Sequence, residues 1–110
     1  MTLSEFQRLI DATYGAKDRG RGLEGTFMWF TEEVGELSRA LRRGKQGPPL
    51  EEEFADVLAW LATLASIAGV DLEAAARAKY ASGCPRCGSV PCRCAEPMRP
   101  TAPATPAIGC

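Results

Sequence analysis

Histidine is absent from all 110 residues. Its absence excludes imidazole acid–base catalysis, Cys-His nucleophile pairs, the Glu-x-x-His iron sites of helical bundles and any zinc site that uses imidazole. Strong net charge is also missing. Thirteen basic residues face fourteen acidic ones, for a formal charge of −1. That balance argues against a nucleic-acid coat or a membrane-surface protein. No long apolar run occurs, and Ser4, Glu5, Gln7, Arg8 and Asp11 interrupt the apolar residues at the N-terminus, so neither a membrane span nor a signal peptide is expected. The expected location is therefore the cytoplasm, where thiols stay reduced. No β alternation and no internal repeat is evident.

What is present is helical punctuation. Thr2, with Glu5 three residues on, caps a short amphipathic helix carrying Leu3, Phe6, Leu9 and Ile10. Residues 15–22, Gly-Ala-Lys-Asp-Arg-Gly-Arg-Gly, read as a flexible basic loop. A second helix is expected from about Leu23 to Arg43, and a third from about Leu50 to Ala68. Between them Gly47-Pro48-Pro49 forbids continuation. Gly69 ends the third helix, and Asp71 caps a fourth that runs through about Ala81. The expected organisation is an all-α domain over 1–82, a cysteine knuckle over 83–94 and a disordered Pro/Ala-rich tail over 95–110. A domain this small buries only about two-thirds of its unfolded surface, so a partner subunit would help it.

Helical phase separates two kinds of position. Leu23, Phe27, Phe30, Val34, Leu37 and Leu41 form one apolar stripe, read as core. Beside it run Trp29, Glu33, Glu36 and Ala40. The next helix repeats the design, with a stripe of Leu50, Phe54, Val57, Leu61, Leu64 and Ala68 beside a line of Glu53, Asp56, Trp60 and Thr63. Its third face carries Ala55, Ala59, Ala62 and Ser66, a smooth surface suited to a second subunit. The short link makes the two helices antiparallel neighbours. At 1.5 Å per residue, Glu36 lies about 10 Å before the break, and Glu53 and Asp56 about 6–10 Å after it. Glu33, Glu36, Glu53 and Asp56 thus share one layer, whereas Glu32 turns toward the outside.

Two readings of these acids are open from spacing. They can be solvated surface charges, with Glu36 paired to Arg39 or Arg43, or they can converge on a metal. Unit charges about 4 Å apart repel by roughly 4 kcal/mol at an effective dielectric of about 20. A converging set therefore needs protons or a hard cation, and oxygen ligands suit Mg²⁺ or Mn²⁺. Asp56 sits mid-helix, where aspartate has poor propensity, and all four acids flank the stripe instead of opposing it. Both facts favour the metal.

The phrase Trp29-Phe30-Thr31-Glu32-Glu33-Val34-Gly35-Glu36-Leu37 followed by Glu53-Phe54-Ala55-Asp56 gives EExxE and then ExxD. This ordered pair, on helices of a small all-α chain, resembles the MazG-like nucleoside triphosphate pyrophosphohydrolases over roughly residues 2–82. The resemblance implies a four-helix bundle that forms a homodimer or a dimer of dimers. It implies Mg²⁺-dependent hydrolysis of a (d)NTP to the (d)NMP and pyrophosphate. It further implies that Glu33, Glu36, Glu53 and Asp56 hold the metal and that Glu32 orients the attacking water. Lys79 resembles the basic residue that follows ExxD in this family. Lys17, Arg19 and Arg21 are further candidates for the phosphates, and Trp29 or Trp60 could stack on the base.

Cys84-Pro85-Arg86-Cys87-Gly88 and Cys92-Arg93-Cys94 add four thiols. Their spacing fits a tetrahedral Cys₄ zinc site of structural type, with a tail of reducible disulfides as the other reading. Cys110 is a separate terminal thiol. These cysteines also leave a competing function open: a non-catalytic dimeric module that recruits a partner through a zinc knuckle.

Overall fold

The computed structural model describes residues 1–95. The expected disordered tail beyond residue 95, and Cys110 with it, lie outside the described residues. Among the described residues the helical elements are α1 (Leu3–Arg42), α2 (Pro48–Ile67) and α3 (Leu72–Tyr80). No strand occurs among the described residues. The chain divides after Ala75 into a first unit, residues 1–75, and a second that begins at Ala76. Among the described residues, no single helix is long and apolar enough to cross a membrane.

The expected break before Leu23 is present, as a kink at Gly22 across which α1 joins two helices; what is corrected is the loop expected over residues 15–22. Residues 15–21 are helical, not a loop, and α1 is interrupted only at Gly22, with φ 85° and ψ 173°. Glycine inside a helix costs about 1 kcal/mol relative to alanine, which is why the sequence reads as a break. Fixed side-chain contacts offset that cost. Arg19 pairs with Asp11 at 3.0 Å. Asp18, only 6 % exposed, accepts a hydrogen bond from Arg21 Nη1 at 3.1 Å and one from Thr63 on α2 at 3.1 Å. The break then falls at the one residue whose dihedrals are open almost solely to glycine. Strain of that kind costs about 1–3 kcal/mol. Gly22→Ala is expected to destabilise the protein by that amount, read as a lower urea midpoint with an unchanged slope.

Local signals set the helix ends. Thr2 Oγ1 accepts from the Glu5 amide at 3.0 Å, and Glu5 Oε1 accepts from the Thr2 amide at 3.2 Å, closing the expected capping box. Pro48 opens α2 instead of preceding it, because the first helical position needs no N–H. Asp71 accepts from the Ala74 amide at 3.1 Å at the start of α3. Gln7 fastens the beginning of α1 to the α2–α3 turn. Its amide nitrogen donates to Val70 O at 2.7 Å, and its oxygen accepts from the Leu72 amide at 2.9 Å.

Packing reverses the expected core. Among the described residues the buried hydrophobic ones are Ala40, Ala62 and Ala65, joined by Thr26 and Thr63. The stripe read as core lies largely at the surface: Phe27, Leu41 and Phe54 each remain 53 % exposed, and Leu23, Val34 and Leu61 are exposed as well. On the face expected to meet another subunit, Ala62 is 1 % exposed within the single chain, Ala59 and Ser66 are half-buried and Ala55 is exposed. Small residues let α1 and α2 approach closely, so the helices meet along the line beside the stripe. Side-chain size at the contact, which hydrophobicity does not encode, selects that face.

Candidate metal centre

The line along which α1 and α2 meet carries the chemistry. Trp29 stacks on Trp60 with ring centroids 6.0 Å apart and planes 13° from parallel. One turn further along α1 and one turn back along α2, Glu33 meets Glu53 and Asp56. One carboxylate oxygen from each of these three lies within 4.8 Å of the others. The next step brings Glu36 and Glu53 to the wall of a shared cleft of about 90 Å³. These steps of four and three residues, taken in opposite directions on the two helices, are those of an antiparallel pair in one register.

Electrostatics inside the cluster is unfavourable without a cation. Glu33 Oε2 and Glu53 Oε2 are buried and have no hydrogen-bond partner. An unsatisfied buried group of this kind is costly, and more so when charged. The Glu33 carboxyl is held above the ordinary carboxylate range, first by burial and then by the negative charges of Glu36, Asp56 and Glu53. The donor set is oxygen only, and two of its residues, Glu33 and Glu53, each carry an orphaned buried oxygen. That composition fits a hard divalent cation.

The sign of the linked pH effect follows. Glu33 holds its proton more tightly folded than unfolded, so the folded state binds more protons above the normal carboxylate range, and stability falls as pH rises there. The metal-free protein is expected to melt lower at about pH 7 than at about pH 5. Glu33→Gln should flatten that dependence, and Mg²⁺ should raise the melting temperature of the native chain more at the higher pH. Thermal melts with and without the ion check it.

The structure places the remaining sequence candidates as follows. Glu32 lies on the exposed side of α1, outside the three-carboxylate cluster. Lys17 is exposed on the same helix. Arg19 is engaged with Asp11. Arg21 is held by Asp18 and Thr26, and its guanidinium carbon lies 4.9 Å from the centroid of the Trp60 ring. It therefore braces the tryptophan pair. Lys79, in the second unit, places its ammonium 5.4 Å from the Tyr80 ring centroid. Arg39, Arg43 and Lys45 were not among the sequence candidates for phosphate binding, yet they line the cleft with Glu36 and Glu53. The available signal was their position on the turn that ends α1, where α2 begins antiparallel.

In the second unit the four thiols converge. Cys84, Cys87, Cys92 and Cys94 each offer a sulfur within 4.8 Å of the other three. Backbone N–H groups of Cys87 and Arg86 lower Cys84 to about 6. Those of Arg93 and Ser89 pull Cys87 down from the ordinary thiol value.

Residues 21–87, more than half of the chain, match the family described as the MazG nucleotide pyrophosphohydrolase domain. No match was found among curated proteins.

Proposed function

The chain belongs to the MazG nucleotide pyrophosphohydrolase domain family, and on that premise we propose that it hydrolyses a nucleoside or deoxynucleoside triphosphate to the monophosphate and pyrophosphate, using Mg²⁺ or Mn²⁺. The observation that carries this reading is the convergence of Glu33, Glu53 and Asp56 across α1 and α2, with Glu36 beside them. Glu33, Glu36, Glu53 and Asp56 would hold the ion. When bound, the ion supplies charge neutralisation at the phosphates and polarisation of their oxygens.

The chain's own residues supply the rest. A triphosphate is polyanionic and would be repelled by bare carboxylates, so cations must lie next to the acids. Arg39, Arg43 and Lys45 bring three such charges to the cleft wall, where charge-assisted hydrogen bonds to phosphate oxygens are strong. Water adds to the α-phosphorus and gives up a proton to the solvent, the bond from that phosphorus to its bridging oxygen breaks, and pyrophosphate leaves with those electrons. Glu32 is the candidate to orient this water if a neighbouring subunit covers its exposed side. The Trp29–Trp60 pair, half open to solvent at Trp29, offers an aromatic face to a base.

The same reading includes self-association. Phe27, Val34, Leu41, Phe54 and Leu61 lie open to solvent along the two long helices, and large apolar patches mark association surfaces. A homodimer, or a dimer of dimers, would cover them. Incubation of the purified chain with a panel of (d)NTPs and Mg²⁺, with detection of pyrophosphate, tests the function. Release from at least one nucleotide is expected. A folded, Mg²⁺-supplied protein inert toward the whole panel overturns the proposal.

A further inference from the structure

We propose that Cys84, Cys87, Cys92 and Cys94 bind one Zn²⁺ ion as a closed tetrathiolate, and that this ion is what folds residues 83–94. This inference concerns the second unit and is independent of the hydrolase reading. The first support is sulfur geometry. Cys84 Sγ lies 3.7 Å from Cys94 Sγ and 3.6 Å from Cys92 Sγ. Four sulfurs about 2.3 Å from a central zinc form a tetrahedron with edges of about 3.8 Å. A disulfide would bring a pair to about 2.05 Å. The observed spacing is that of thiolates around an ion and not of bonded pairs.

The second support is the backbone. The Arg93 amide donates to Cys87 Sγ at 3.3 Å and the Cys94 amide to Cys92 Sγ at 3.4 Å. Such bonds orient ligand sulfurs and stabilise their anionic form. The first loop closes on itself: the Gly88 amide donates to Cys84 O at 2.7 Å, and the Cys84 amide to Ser89 O at 3.0 Å. Gly83 permits that closure. Its φ is 99°, and a Cβ there would stand 2.7 Å from Ser89 O. Arg86 and Arg93, each next to a ligand in sequence, supply positive charge against the dianion that four thiolates and one Zn²⁺ make.

The third support is what the segment lacks. None of residues 83–95 is buried, and its largest apolar side chain, Val90, is 81 % exposed. Ordering a residue costs about 1–2 kcal/mol of backbone entropy, and no apolar burial offsets that here. Ligand bonds to a metal do so in segments of this size. All four positions are filled by protein sulfur, so no site is left for water or substrate, and the role is structural.

The experiment uses the full chain, purified with reductant and without chelator. Elemental analysis is expected to give one zinc per chain. Replacement by Co²⁺ should give the intense visible bands of a tetrahedral thiolate complex. Amide exchange over residues 84–94 should be slow with zinc and fast after its removal, while α1 and α2 stay unchanged. Cys84→Ser and Cys94→Ser should each lower the stoichiometry to about a tenth or less, with helical circular dichroism retained. Gly83→Ala keeps every ligand and should speed zinc loss to a competing chelator by roughly tenfold. Two disulfides by mass, iron in place of zinc, four freely reactive thiols with no metal, or exchange indifferent to the ion would each overturn the proposal.

Discussion

Asp56→Asn is expected to reduce pyrophosphate release by at least about 100-fold, with Glu53→Gln close behind. The size follows from what the acids share. Glu33, Glu53 and Asp56 present oxygens within 4.8 Å of one another, so removal of one charge weakens the hold of the other two on the same ion. Metal stabilisation of a phosphoryl transition state is worth several kcal/mol, and each 1.36 kcal/mol is a factor of ten in rate. The same substitutions should leave the fold intact, and even firmer without metal, because they relieve repulsion around Glu33. Low activity beside an undiminished melting temperature is therefore the signature. Raising Mg²⁺ or Mn²⁺ should restore part of the rate if the lesion is weak ion binding. If the chain were a non-catalytic recruiting module, both variants would be silent in every functional assay, and deletion of residues 83–110 would be the damaging change.

The second large effect concerns the apolar surface of the long helices. Phe27→Asp and Phe54→Asp are each expected to weaken self-association by at least about 30-fold. A buried aromatic anchor at an interface is commonly worth 2 kcal/mol or more, and each 1.4 kcal/mol is tenfold in affinity. Placing a carboxylate on that surface adds a desolvation cost. Both residues are 53 % exposed in the single chain, so neither substitution opens its buried core, although Phe27→Asp also removes the ring contact with Phe30, whose centroid lies 6.3 Å away. Light scattering coupled to size exclusion should show the native chain as a dimer or tetramer and the double variant as a monomer at the same concentration. Catalysis should fall with the assembly if a neighbouring subunit completes the environment of Glu32. If the native chain ran as a monomer over the whole range, the exposed stripe would need another explanation.

The two outcomes separate cleanly because the carboxylates and the stripe lie on different faces of the same helices. Glu33 and Glu53 each have an oxygen shut away from solvent, whereas Phe27 and Phe54 look outward. A defect in metal binding should therefore leave oligomer mass unchanged. A defect in assembly should leave the affinity for Mg²⁺ of the separated chains largely intact.

Much of this organisation was legible from residue order. The three-residue spacings in Glu33–Glu36 and Glu53–Asp56 put each pair on one helical face, and the short proline-bearing turn fixed their heights. Both are local consequences of a 3.6-residue repeat. Thr2, Gly69 and Asp71 marked helix ends because capping is chemistry between near neighbours. So too the pairs Cys84/Cys87 and Cys92/Cys94 announced a possible sulfur site by spacing alone. Tertiary packing settled the rest. Residues 15–21 became helix because Asp18 finds Thr63, forty-five positions away, and no local propensity contains that bond. The alanines and threonines, not the leucines and phenylalanines, became the contact between α1 and α2, because close approach of two helices depends on how little side chain stands between them. That choice turned the apolar stripe outward, brought Trp29 onto Trp60, and closed three carboxylates around one point.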